Sequence, residues 1–316
     1  METSVSISSI PAWKKWLIAA RPWALPASII PVCLGTMLAV IVGQSSFHFW
    51  KFLLALVAMI ILHFAANMRS DVSDFRLGLD KEVTPVSGAI VRGWLSPDQV
   101  MKAAILLFAL GSLLGLILVL MTGPALLLIG LIGVIIGANY PFLKARALGD
   151  LAVFLNFGVL GSMGAWTVQT GKFSFWPGLW AIPQALLVVA ILHANNWRDM
   201  VTDKEKKVYT LASRLGDLGS LVYYSLLLLS PFVLSIIYVV VPRFFPSPWP
   251  YLPYSFLIVF LALPAAFSLW QRARRRHQPR KPLDFIILDG ATSKFNWIFG
   301  LLSLAGLGLD LMLRYF

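Results

Sequence analysis

The chain has 316 residues, of which 59% are hydrophobic and 13% charged, whereas an ordinary soluble domain carries about a quarter charged residues. A mean hydropathy of +0.80 excludes a water-soluble globule and a disordered or collagen-like chain, and leaves the bilayer as the solvent. The net charge of +12 then reports Lys and Arg gathered on one side of a membrane, not a nucleic-acid partner.

In chain order, Ile10–Trp23 comes first. It mixes Trp13, Trp16 and Leu17 with Lys14, Lys15 and Arg21, the pattern of an amphipathic helix lying in the membrane interface. Nothing ahead of it reads as a cleavable signal. Nine apolar runs follow, each near the length a membrane span needs: Ala24–Val42, Phe52–Asn67, Ala103–Met121, Pro124–Tyr140, Leu151–Gln169, Trp180–Asn196, Leu221–Val241, Leu252–Trp270 and Phe295–Leu313. The expected fold is all-α: one polytopic membrane helix bundle of about nine transmembrane helices over residues 1–316, with residues 1–23 as an interfacial segment. The single cysteine, Cys33, lies within the first run, so no intramolecular disulfide or multi-cysteine zinc site can form.

The loops between these runs assign the sides. Of 26 basic residues, all but Lys51, Lys172, Arg243 and Arg314 fall in the N-terminal segment or after an even-numbered span. The N-terminus and the even loops are therefore expected in the cytoplasm, in a bacterial inner membrane, with the C-terminus outside. The run Arg272, Arg274, Arg275, Arg276, Arg280, Lys281 closes span eight where anionic lipid headgroups lie, with Asp284 and Asp289 offsetting part of it.

The 14 acidic residues concentrate on the same side. Asp71 and Asp74 are three positions apart and Asp199 and Asp203 four apart, so if the second and sixth helices continue past their apolar runs, each pair shares one face. Like charges on one face repel unless a cation neutralises them. Mg²⁺ fits best, because it binds through one or two carboxylates together with substrate phosphates. Arg69, Arg76, Lys81, Arg92, Lys144, Arg146, Arg198, Lys204 and Arg214 surround the pairs with enough positive charge to hold a polyanion. Asn67, Asn195 and Asn196 end apolar runs, where an amide is costly unless it lines a polar cavity or bonds another helix. His63 and His193 lie within spans two and six, open to a role at an acceptor hydroxyl or to a structural one. The spacing thus indicates a site for metal and diphosphate at the cytoplasmic mouth of a helix bundle. An ion-coupled transporter is the rival class, but its carboxylates would sit near the midplane and not at span ends.

Ser70-Asp-Val-Ser-Asp-Phe-Arg-Leu-Gly-Leu-Asp80 resembles the first aspartate-rich motif of the UbiA superfamily of intramembrane aromatic prenyltransferases. Asn195-Asn-Trp-Arg-Asp-Met-Val-Thr-Asp203, with Thr210-Leu-Ala-Ser-Arg-Leu-Gly216, resembles the second. Ala20-Arg-Pro-Trp-Ala-Leu-Pro26, Tyr140-Pro-Phe-Leu-Lys144 and Leu148-Gly-Asp150 are similar to segments of the dihydroxynaphthoate branch. Two positions depart from the family pattern. Ser70 stands where an Asn normally precedes the first Asp, with Asn67 one turn earlier, and Lys207-Val208 replaces a Gly-Lys pair.

The resemblance implies Mg²⁺-dependent transfer of a polyprenyl group from polyprenyl diphosphate to an aromatic acceptor, 1,4-dihydroxy-2-naphthoate, with loss of its carboxyl group. Another acceptor, such as hydroxybenzoate, homogentisate or a glycerol phosphate, is the alternative within the superfamily. By this resemblance Asp71, Asp74, Asp199 and Asp203 are the catalytic metal ligands, with Asp80 as a further one. Lys144, Arg198, Asn67, Asn195, Asn196, Arg92, Arg214 and Tyr140 are the candidates for substrate contacts.

Overall fold

The computed structural model describes residues 10–79, 83, 88–244, 251–275 and 288–315, and every regular element among them is a helix. The amphipathic stretch folds as α1 (Ala12–Ala20) and stops at Arg21, which takes the left-handed conformation (φ 55°) that caps helix C-termini. After a 3₁₀ turn at Pro22–Ala24 the chain enters α2 (Pro26–Ile41), bent by 54° from the segment before it. Then come α3 (Phe49–Arg76), α4 (Pro97–Thr122), α5 (Pro124–Ala138) and the short α6 (Tyr140–Lys144). α7 (Gly149–Val153) continues through a π-helical stretch, Phe154–Leu160, into α8 (Gly161–Thr170). The short α9 (Trp176–Trp180) leads to α10 (Ile182–Glu205) and α11 (Leu211–Val240). A 3₁₀ segment, Tyr254–Ala262, runs into α12 (Leu263–Arg274), and α13 (Leu288–Tyr315) ends the described chain.

Local chemistry explains many of the boundaries. α2, α4 and α5 open on Pro26, Pro97 and Pro124, where the missing N–H is one the first turn leaves unused. Ser96 and Gln99 form a reciprocal capping box at the start of α4, with bonds of 3.2 and 2.9 Å. Thr210 caps α11 by accepting the Ser213 N–H at 3.2 Å, and six residues later Gly216 (φ 69°) interrupts the helix in a conformation that L side chains rarely adopt. The Thr and the Gly of the second motif thus shape the helix start beside the site.

The protein is an all-helical integral membrane protein. Each of the nine expected runs falls on a helix, but only six helices among the described residues are long and apolar enough to cross a bilayer, or seven if the bent pair at α1 and α2 counts as one span. α5, with 15 residues, rises about 22 Å against a hydrocarbon core of about 30 Å. α10 carries Arg198, Asp199, Asp203, Lys204 and Glu205 in its last turns, so hydropathy alone does not qualify it.

The larger core gathers α10, α11, α13 and the Tyr254–Ala262 segment around Trp197, Tyr224, Phe295 and Phe299. Polar clasps fix these helices in register: Gln184 Nε2 donates to Asn296 Oδ1 at 2.9 Å, and the Tyr224 and Thr292 hydroxyls lie 2.7 Å apart. Where backbones approach most closely the sequence supplies glycine. A Cβ on Gly35 would stand 2.2 Å from the Ser162 carbonyl oxygen, and one on Gly158 would stand 2.1 Å from Ala185 Cβ.

Candidate functional site

α3 and α10 both continue well past their apolar runs, to Arg76 and Glu205, so each aspartate pair sits on a helical extension. Asp71 is 5% exposed and ion-paired with Arg21, which the left-handed turn after α1 aims at it. Asn67, one turn earlier, donates to the Ala20 carbonyl at 3.2 Å and pins that turn to α3. On the other side the backbone of Gly88 passes so close that a Cβ there would lie 2.7 Å from Asp71 Oδ2. Ser70 is buried beside it.

Asp74 meets the middle loop. Lys144 Nζ, from α6, lies 3.0 Å from Asp74 Oδ2, and both side chains are largely buried. Burial alone would lower the Lys144 pKa. The carboxylates of Asp74 and Asp203 outweigh it and hold the group above the ordinary lysine range, so it stays an ammonium. Lys144 therefore joins the two motifs electrically: it hydrogen-bonds one and lies in the field of the other. Tyr140 is on the same short helix.

The second motif is held differently. Arg198 grips its neighbour Asp199 through Nε and Nη2, at 2.9 and 2.8 Å, and reaches Asp289 of α13 with Nη1 at 2.7 Å. Asn195 Nδ2 donates to the same Asp289 carboxylate at 3.3 Å. Asp203 is 2% exposed. Asn196 is buried as well, and its Oδ1 has no hydrogen-bond partner, a hard oxygen left over beside the aspartates.

The structure joins His193 and Asp150, which the sequence named separately, to the half-buried Tyr223. His193 Nδ1 is 3.3 Å from Asp150 Oδ2, Tyr223 hydrogen-bonds the same carboxylate, and the His193 and Tyr223 rings meet edge to face at 4.7 Å.

The structure also alters several expectations. Asp289 does not merely offset the basic run after span eight; it is the anchor of Arg198 and Asn195. Arg92 stacks on Trp94 at 5.1 Å, and Arg214 is exposed on the first turn of α11 without joining the ion pairs that knit the site. Among the described residues no three of His, Cys, Asp and Glu converge on one point, and Asp71, Asp74 and Asp199 are each paired with a cation of the chain itself. Asp80, Lys81, Glu82, Arg276, Arg280, Lys281 and Asp284 lie outside the described residues.

Beyond Asn67, toward the middle of the bundle, an apolar cavity of about 130 Å³ opens between α3, α4, α5 and the π-helical stretch with α8. Ala66 and His63 line its end nearest Asp71. His63 is hydrogen-bonded through Nδ1 to Ser28 Oγ and packs on Phe157 with centroids 4.6 Å apart.

The membrane helix bundle thus carries two acidic helix ends, each paired with cations of the chain, with Lys144 in the field of both and an apolar cavity further along α3. The chain belongs to the UbiA prenyltransferase family, whose model matches residues 28–288, and it is a prenyltransferase of that type. It is 33% identical over 299 residues to UbiA prenyltransferase domain-containing protein 1 of Danio rerio, covering 92% of this chain and 83% of that protein. With the protein of the same name from Xenopus tropicalis it shares 32% over 301 residues, covering 93% and 81%. Among solved structures, the apo form of a UbiA homolog from Aeropyrum pernix K1 superposes with a TM-score of 0.65 at 16% identity, covering 92% of this chain and 97% of that one. A UbiA homolog from Archaeoglobus fulgidus bound to GPP and Mg²⁺ gives 0.64 at 15% identity, covering 93% and 99%. At these identities the structures establish the fold.

Proposed function

We propose that the protein transfers a polyprenyl group from polyprenyl diphosphate to 1,4-dihydroxy-2-naphthoate, with loss of carbon dioxide, giving demethylmenaquinol for menaquinone biosynthesis. The observation that supports this reading is Lys144, which pairs with Asp74 and lies in the field of Asp203, so that the two motifs share one cation, with an apolar cavity further along α3. The Archaeoglobus fulgidus homolog bound to GPP and Mg²⁺ supports the donor class. The resemblance of the opening and middle segments supports the acceptor. The distribution of basic residues supports nine crossings with the site on the cytoplasmic side, which in a bacterium is the inner face of the inner membrane.

The donor set fits Mg²⁺: the carboxylates of Asp71, Asp74, Asp199 and Asp203 are hard oxygens, and the unpartnered Asn196 Oδ1 adds one more. Asp80 completes the proposed set. Bound there, the metal supplies Lewis-acid neutralisation of the diphosphate. The chain's own cations do the rest. Arg21, Lys144 and Arg198 stand at the carboxylates, placed to take up the charge that grows on the diphosphate as the allylic C–O bond breaks. Asn67 and Asn195 hold Arg21's turn and Asp289 in place, Tyr140 offers a hydroxyl near Lys144, and Arg92 and Arg214 add outer positive charge. The ring carbon donates an electron pair to the allylic cation, the new C–C bond forms, and the carboxylate leaves as carbon dioxide, returning its pair to the ring. Packed apolar walls keep water from capturing the cation.

Purified protein in liposomes, given geranylgeranyl diphosphate, Mg²⁺ and dihydroxynaphthoate, is expected to yield a prenylated, decarboxylated naphthoquinol. Product with hydroxybenzoate or homogentisate and none with dihydroxynaphthoate would overturn the acceptor. Chelating divalent cations is expected to stop turnover and re-added Mg²⁺ to restore it, and Asp199→Asn is expected to lower kcat by at least about a hundredfold while the protein stays folded. Turnover undiminished by chelator would overturn the metal assignment.

A further inference from the structure

The cavity has a floor as well as a mouth. Its lining residues on α3 run from Ala66 back to Ala55, and from Asp71 to Ala55 is sixteen residues, about 24 Å of helix in a hydrocarbon core of about 30 Å. A tail whose diphosphate is held at Asp71 therefore lies along α3 and meets whatever closes the far end. Leu118 at the end of α4, Leu126 at the start of α5 and Val168 near the end of α8 close it. They are 4%, 8% and 2% exposed, and they pack on one another and on Leu54, Ala55 and Val119.

The walls are thinned by glycine. Gly130 of α5 lines the cavity and is also exposed on the outer face of the bundle, where a Cβ would meet nothing within 4 Å, so a tail in the bilayer has a lateral way in. Gly164 of α8 faces the interior one turn before Val168. A Cβ there would touch Ile129 and Leu126 at 3.6 and 4.0 Å, ordinary contact distances, so a larger side chain would grow into the cavity without moving backbone.

We propose that Leu118, Leu126 and Val168 are the specificity-determining residues for donor length. This rests on the prenyl-transfer reading above and deepens it. Tails that just reach the floor end against Leu118, Leu126 and Val168. Shorter ones leave a void along its lining, and longer ones must bend out past Gly130 or displace a packed cluster. In a tight apolar pocket a misfit of even one methylene changes kcat/KM by roughly tenfold or more.

The test is competitive. The protein is supplied with an equimolar mixture of geranyl, farnesyl, geranylgeranyl and longer polyprenyl diphosphates, and the ratio of prenylated products is read by mass spectrometry. That ratio is independent of how much of a variant folds. Gly164→Leu is expected to shift the ratio toward shorter donors by roughly tenfold, and Leu126→Ala to shift it toward longer ones. Ratios unchanged from wild type in both variants, or shifts in the opposite directions, would overturn the assignment. No product from wild type with any donor would instead overturn the prenyl-transfer reading on which it rests.

Discussion

Lys144 Nζ lies 3.0 Å from Asp74 Oδ2 with both side chains about seven-eighths covered, and Asp203 acts on the same ammonium. Replacing it with Met leaves the largely buried Asp74 carboxylate without its ion-pair partner. Breaking a buried pair on one side costs about 3–5 kcal/mol, so Lys144→Met is expected to lower thermal stability by that order and to raise the donor KM. Adding Asp74→Asn should recover part of the stability, because the uncompensated charge is then gone. A double-mutant cycle on unfolding in detergent measures the coupling, and strictly additive losses would show that the pair is not what joins the motifs. At this scale the sequence identified the acidic and basic residue types and their one-turn spacing but not their partners. Arg21 reaches Asp71 across 50 positions and Asp289 reaches Arg198 across 91, and no local periodicity carries such pairings. His193 and Asp150 were each visible in the sequence, but their contact with one another and with Tyr223 was not, since the three come from different helices.

Hydropathy finds apolar runs, and each run proved to be a helix; what it does not see is where a helix bends, thins or falls short. The break at Arg21, the π-helical stretch after α7 and the 15 residues of α5 are set by backbone geometry and by neighbours, not by apolar content. The glycines at close crossings are the clearest case. A methyl group on Gly158 would enter Ala185 on α10, and one on Gly35 would enter the backbone of Ser162 on α8, so in both places the helices must separate. Gly158→Ala is expected to cost about 1–3 kcal/mol of stability, seen as a lower unfolding temperature in detergent, with loss of turnover as α10 and its aspartates shift. Gly164→Ala is the control, since its Cβ meets only ordinary contacts, and it should be close to neutral. Equal effects from the two substitutions would mean that backbone approach does not set the position of α10.

For the whole molecule, the uneven distribution of Lys and Arg is the strongest statement about orientation. In the sequence, 22 of the 26 basic residues fall in the N-terminal segment and after even-numbered spans, and Lys144 and Arg198, which pair with the aspartates, are among them. The proposed orientation puts this basic end in the cytoplasm, as the positive-inside tendency of Lys and Arg would have it. Under the proposed function the excess charge would serve twice, orienting the protein and drawing an anionic donor to the aspartates. Lys206, just past the end of α10, and Lys172, in the turn after α8, are both exposed and lie at opposite ends of the helices that join them. In a Cys33→Ser background, Lys206→Cys is expected to react with a membrane-impermeant maleimide only in inside-out vesicles, and Lys172→Cys only in right-side-out ones. The reverse pattern would put the site on the outer face and overturn the proposed orientation. Labelling of both positions from one side would mean that an odd number of spans does not separate Lys172 from Lys206, and α10 would then be a re-entrant helix instead of a crossing one.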